Sequence, residues 1–249
     1  MKKKLLTAFC LLILSVSAAW GAGIEEKVLK AWTRSVSRSE RDAQTVEIKV
    51  TYYSAEYIEA LVRSEAEKNL WTKDEEERYR YNLLKTLNLD ECIAFHFDFN
   101  VLGVPVYLQP FDRHLKLYAG KKILEPVDYD KRFNFKLQGQ RDGMVWFPRY
   151  DEKTGKSLLE GIKELRMNIS NSISQATLST GDILLIWNIA GDDPSVLNTG
   201  KAAAQLELER LIKRLEQLYE NKNALQQQMD AIDKDLNDVN QRVEELQKQ

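Results

Sequence analysis

The chain has 249 residues, with 36 Lys and Arg against 38 Asp and Glu, a net charge of -2, two histidines and two cysteines. Even, well-mixed charge excludes the basic face that a nucleic-acid binder needs. One cysteine beyond the N-terminal segment, Cys92, excludes an intramolecular disulfide framework, so stability has to come from a packed core.

Lys2, Lys3 and Lys4 precede an apolar run from Leu5 to Ala19, and small residues follow at Ser17, Ala18, Ala19, Gly21 and Ala22. This pattern is a secretory signal peptide over residues 1–22, cleaved near 19–23. The run falls short of the ~20 residues of a bilayer span, so cleavage should leave no transmembrane segment. Trp20 is an awkward occupant of the cleavage region and keeps an uncleaved anchor as the alternative. Cys10 lies inside the apolar run, behind the bulky Phe9, which argues against a lipid-modified cysteine. Cleavage removes three lysines and no acids, leaving 33 Lys and Arg against 38 Asp and Glu and a net charge of -5. The expected location is the periplasm or the extracellular side of a bacterial cell.

Residues 23–45 read as a lead-in: Ile24, Val28, Leu29, Trp32 and Val36 recur at helical spacing and predict a short amphipathic helix. Its mixed charges favour packing on the protein over a membrane surface. Val46, Ile48, Val50 and Tyr52 then alternate with polar residues, which predicts a strand and opens a β-rich domain over 46–190. Within it, residues 54–89 predict a helical hairpin, with Ser54 capping the first helix and Thr72 and Glu75 forming a capping box on the second.

From Cys92 the period becomes two. Ile93, Phe95, Phe97 and Phe99 share one face, and further runs at Val104–Leu108, Leu115–Leu117, Phe133–Leu137, Met144–Phe147, Leu165–Ile169 and Ile183–Ile189 are separated by Gly and Pro. The predicted fold class is α+β: a mainly antiparallel, sandwich-like β domain with a helical hairpin, a linker at 191–203 around Gly191-Asp192-Asp193-Pro194, and a long C-terminal coiled-coil helix.

The inventory for chemistry is poor. His96 and Asp98 share one strand face, and His114 beside them would complete three metal-type ligands, but solvent-facing polar residues are the simpler reading. Asp128 with Asp130, and Asp192 with Asp193, read as turns rather than calcium loops. No phosphate loop and no nucleophile elbow is present. Trp71, Trp146 and Trp187 can line a glycan or peptide surface, or fill the core. No metal, cofactor or catalytic residue is therefore expected; a carboxylate-dependent hydrolase is the outsider.

The strongest pattern is the tail, 204–249. Ala204, Leu208, Leu211, Leu215, Leu218, Leu225, Met229, Ile232, Leu236, Val239, Val243 and Leu246 keep a 3-4 spacing with no Gly or Pro between, the seam of a left-handed coiled coil over about six heptads. Lys222 is the one polar break, at an a position; its long stem suits a two-stranded coil, where the ammonium reaches water. Ile212 and Tyr219 at e widen the stripe near the linker. With Gln226, Asn240 and Gln247 at e and Asn221 and Gln228 at g, ion pairs are expected to matter little. The expectation for function is an exported cell-envelope scaffold, a homodimer or other oligomer through this coil; the alternative is a secreted module binding a glycan, a peptide or another envelope component.

Overall fold

The structure, a computed structural model, describes residues 24–40, 44–89, 91–108, 110–192, 197 and 201–247. Residues 1–23, which include the expected signal peptide with Cys10 and Trp20, and Asp193 and Pro194 of the expected linker lie outside the described residues. Chain contacts divide the protein into two units, Met1–Ala203 and Ala204–Gln249.

The first unit is α+β. Helix α1 (Glu26–Trp32) leads directly into β1 (Thr33–Glu40) and β2 (Gln44–Tyr52); helices α2 (Ala55–Asn69) and α3 (Lys73–Thr86) follow, and then the long β3 (Cys92–Tyr107). After it come β4 (Leu115–Ala119), β5 (Lys122–Leu124), β6 (Asp128–Tyr129), β7 (Lys136–Pro148), β8 (Glu164–Ile169) and β9 (Ile183–Asn188). The strands make two antiparallel sheets, one ordered β1-β2-β3-β7-β6 and the other β5-β4-β8-β9.

Both sheets contribute to one buried core. Phe95, Phe97 and Phe99 alternate inward from β3 and are fully buried, as the period-2 pattern requires. The Phe95 ring lies 5.1 Å from that of Trp187, the largest buried side chain of β9. The Trp187 indole nitrogen donates to the Trp32 carbonyl at 2.8 Å, so its one polar atom is satisfied inside the core. Trp187 is thus a core residue and not part of a ligand surface. Phe111 and Phe133 add to the aromatic cluster from two 3-10 turns, Phe111–His114 and Lys131–Asn134.

Three segments differ from their sequence pattern. The amphipathic helix stops at Trp32, and Thr33–Glu40 pairs with β2 from Thr33↔Thr51 to Glu40↔Gln44. Register puts Arg34, Val36 and Arg38 on the side of Val50, Ile48 and Val46, and two arginines on the inner side of an outermost strand hide the usual apolar alternation. Arg34 instead reaches across to the other sheet, its Nε donating to the Ile186 carbonyl at 2.7 Å. The expected strand Val104–Leu108 is the end of β3, bent by a bulge between Val101 and Val106 where Gly103 takes φ 87° and the Gln44 amide donates to the Val104 carbonyl at 2.6 Å. Phe133 sits in a 3-10 turn, and β7 begins at Lys136.

The helices begin where their caps are. Ser54 Oγ accepts from the Tyr57 amide at 3.0 Å, and the Thr72–Glu75 capping box is complete. Arg80 of α3 pairs with Glu59 of α2, half-buried, and ties the two helices. Helix α4 (Lys201–Gln247), 47 residues long, starts at the end of the first unit and supplies all the described residues of the second. Among the described residues no helix is long and apolar enough to cross a membrane.

Candidate functional site

With the phenylalanines of β3 turned inward, His96, Asp98 and Asn100 stand on the outer face of the larger sheet. Register sets three rows across it, polar but for Met144: Thr51, His96 and Met144; Lys49, Asp98 and Asp142; Glu47, Asn100 and Gln140. Their side chains bond across strands. His96 Nε2 lies 3.0 Å from Asp142 Oδ2, the Asn100 amide donates to Glu47 at 2.9 Å, and the Gln140 amide donates to both Asp98 oxygens at 3.2 Å. A groove of about 550 Å³ runs beside these rows, lined among others by Ser35, Ser37, Lys49 and Asp98.

An aromatic wall stands at one end of this face. Tyr53 follows β2 and stacks edge-on with Tyr57 of α2 at 5.1 Å, while Trp71 lies 4.8 Å from Tyr79 of α3. Burial pushes the Tyr53 phenol well above its ordinary value, and Tyr57, Tyr79 and the Asp142 charge add to that shift. The His96 hydrogen bond holds the Asp142 carboxyl below the usual range. Asp98 and Asp142 face each other in register, Asp142 bonded to His96 and Asp98 accepting from the Gln140 amide.

His114 does not join this group. It ends the 3-10 turn before β4, in the other sheet, with its Nδ1 3.3 Å from Ser172 Oγ. The three candidate metal ligands are therefore split between sheets, and among the described residues no group of three His, Cys, Asp or Glu can hold a metal. Of the aromatic candidates, Trp146 is half-buried with its indole nitrogen donating to the Leu87 carbonyl at 2.7 Å, and only Trp71 belongs to the aromatic wall.

Asp192 carries a role its turn-like sequence hides. Its Oδ1 accepts from the Ala55 amide at 2.7 Å, at the first turn of α2, and its Oδ2 accepts from the buried Tyr52 hydroxyl at 3.1 Å. Burial outweighs these bonds and raises the Asp192 pKa. The helix N-terminus and its free amides are what draw the carboxylate there.

Helix α4 presents the remaining candidate surface. Leu208, Leu211, Leu215, Leu218, Leu225, Met229, Ile232, Leu236, Val239, Val243 and Leu246 are each between 46% and 60% exposed. Lys222 interrupts them on the same stripe. Local ion pairs along it include Arg210 with Glu207 at 2.6 Å and Arg242 with Glu245 at 2.7 Å, both at i, i+3 spacing.

No known protein family, curated protein or solved structure matches the chain.

Proposed function

We propose that this chain is an exported bacterial envelope protein that self-associates through α4 as a coiled coil and displays its β-rich unit as a scaffold. In this reading the two antiparallel sheets are the faces of a sandwich-like body, and residues 1–22 are the signal that exports it. The observation that carries the reading is the stripe of eleven large apolar side chains on α4, each about half exposed in a single chain. Water-exposed apolar surface of that extent and regularity is a binding surface, and a 3.5-residue period fits another helix of the same kind. The test is the mass in solution of the full chain and of a chain ending at Thr199. The full chain should be oligomeric and the shortened one folded and monomeric; a monomeric full chain sinks the proposal.

One observation favours a second reading, a ligand-binding module: the groove on the outer face of the larger sheet is lined by the amides of Asn100 and Gln140, the carboxylates of Glu47 and Asp98 and the hydroxyls of Ser35 and Ser37, the polar mixture that glycan hydroxyls or a peptide backbone use.

A further inference from the structure

Only part of the α4 flank is uncharged. In the register that places Leu218 and Leu225 at d, the g positions also include Glu207, Arg214, Asp235 and Arg242. Their order along the helix is acid, base, amide, amide, acid, base, which is complementary to itself when read backwards. We infer that α4 pairs with a second copy of this chain as an antiparallel coiled coil, in the one register that sets Glu207 against the partner's Arg242 and Arg214 against the partner's Asp235. The inference rests on the self-association proposed above and specifies its direction.

In antiparallel coils the g positions of the two helices face one another, whereas in parallel coils g faces e. Antiparallel pairing about a two-fold axis between Asn223 and Ala224 gives both charge pairs, each occurring twice, with Asn221 opposite the partner's Gln228 between them. Sliding by one heptad in one direction brings Glu207 onto the partner's Asp235; sliding in the other brings Arg214 onto the partner's Arg242. Charge repulsion thus opposes both neighbouring registers, while the favoured one overlaps the whole seam from Ala204 to Val243. The in-register parallel dimer makes none of these pairs, since the e partners of Glu207, Arg214, Asp235 and Arg242 would be Ile212, Tyr219, Asn240 and Gln247.

Lys222 points the same way. A parallel dimer stacks Lys222 on its own copy in one core layer, two like charges at close range. The antiparallel register faces each Lys222 with the partner's Leu225, whose side chain its four-carbon stem can cover while the ammonium reaches solvent. Polar flanks and the core lysine, which in a parallel coil would be a passive gap and a repulsion, become the determinants of direction and register. The local Arg210–Glu207 and Arg242–Glu245 pairs then share their charges with the other chain.

Two measurements test this on the full chain. With Cys10 and Cys92 replaced by Ser and a spin label on Asn240→Cys, the antiparallel register separates the two labels by about 50 Å at 1.5 Å per residue. A parallel dimer would leave them within roughly 20 Å, the width of two helices with their side chains. A long distance is expected; a short one in a dimeric protein overturns the direction and leaves self-association standing. A monomer by sedimentation, with no distance between labels, overturns both. In the second measurement, Arg242→Glu should weaken the dimer about tenfold by setting like charges at Glu207, and adding Glu207→Arg should restore it. An unchanged dissociation constant in the single variant, or no rescue in the double, overturns the register.

Discussion

The hydroxyl of Tyr52 donates to Asp192 at 3.1 Å, joining the end of β2 to a residue 140 positions further along the chain. Tyr52 is 1% exposed, so this carboxylate is what makes its burial tolerable. Asp192→Ala should therefore cost about 1–3 kcal/mol, the usual penalty for a buried donor without a partner, plus the loss of an acceptor at the first turn of α2. Asp192→Asn retains an acceptor for Ala55 and a polar group for Tyr52 and should cost clearly less. Urea denaturation of the two variants checks the order, and equal losses would show that the Tyr52 bond contributes nothing.

The same residue sets a pH dependence. Burial raises the Asp192 pKa in the folded protein, so the native state binds more protons than the unfolded chain between the unfolded value, about 3.9, and the raised folded value. Its contribution to stability is fully present below the unfolded pKa and is lost as pH rises through the folded one. The carboxyls of Asp128, Asp130 and Asp142 are shifted downward and act in the opposite sense, weakening the fold as pH falls. Subtracting the stability of Asp192→Asn from that of the wild type at each pH isolates the first term. The difference should fall from about pH 4 upward and then level off. A difference that rises over that window contradicts the assignment.

Gly143 marks a close approach of β7 to the Asp130 turn. A Cβ there would lie 2.7 Å from the Cβ and a carboxylate oxygen of Asp130 and 2.9 Å from the Phe133 ring, which is fully buried. Gly143→Ala should destabilise by about 1–3 kcal/mol through overpacking. Thermal unfolding reads it directly, and an unchanged midpoint would mean that the turn gives way freely.

Lys222→Leu fills the one polar layer of the α4 seam. It should strengthen association and broaden the distribution of oligomers, because the lysine that penalises larger bundles is gone. Sedimentation velocity over a concentration series checks both; the same affinity and the same single species as the wild type would put Lys222 outside the core.

His96→Ala removes the partner of a mostly exposed carboxylate. Stability should change by less than about 0.5 kcal/mol, while the Asp142 carboxyl titrates closer to its ordinary value in an NMR experiment. No movement of that titration would mean that the His96 bond is absent in solution.

Elements governed by local chemistry were legible without the structure. Ser54 and Thr72 announce their helices because a cap is satisfied within three residues, and Phe95, Phe97 and Phe99 announce β3 because alternation needs no partner. What was not legible depends on distance along the chain. Strand β1 carries Arg34 and Arg38 where an inward apolar pattern is expected, and its pairing with β2 is what makes it a strand. Whether His114 stands beside His96 was open because register cannot be read from one strand alone. Asp192 resembles any linker aspartate until Tyr52 and the start of α2 are folded beside it.

Arg34 has a consequence for how copies of this protein meet. A β-sheet ends in strands whose free amides and carbonyls recruit further strands, the route to uncontrolled aggregation. Here β5 and β6 are only three and two residues long. Strand β9 has its Ile186 carbonyl occupied by the Arg34 guanidinium, which also lies 5.8 Å from the Trp187 ring. Strand β1 places two cations along its own inner side. The β-rich unit is thereby made a poor template for sheet extension, so the pairing proposed for the helix would not have to compete with strands adding at the sheet edges.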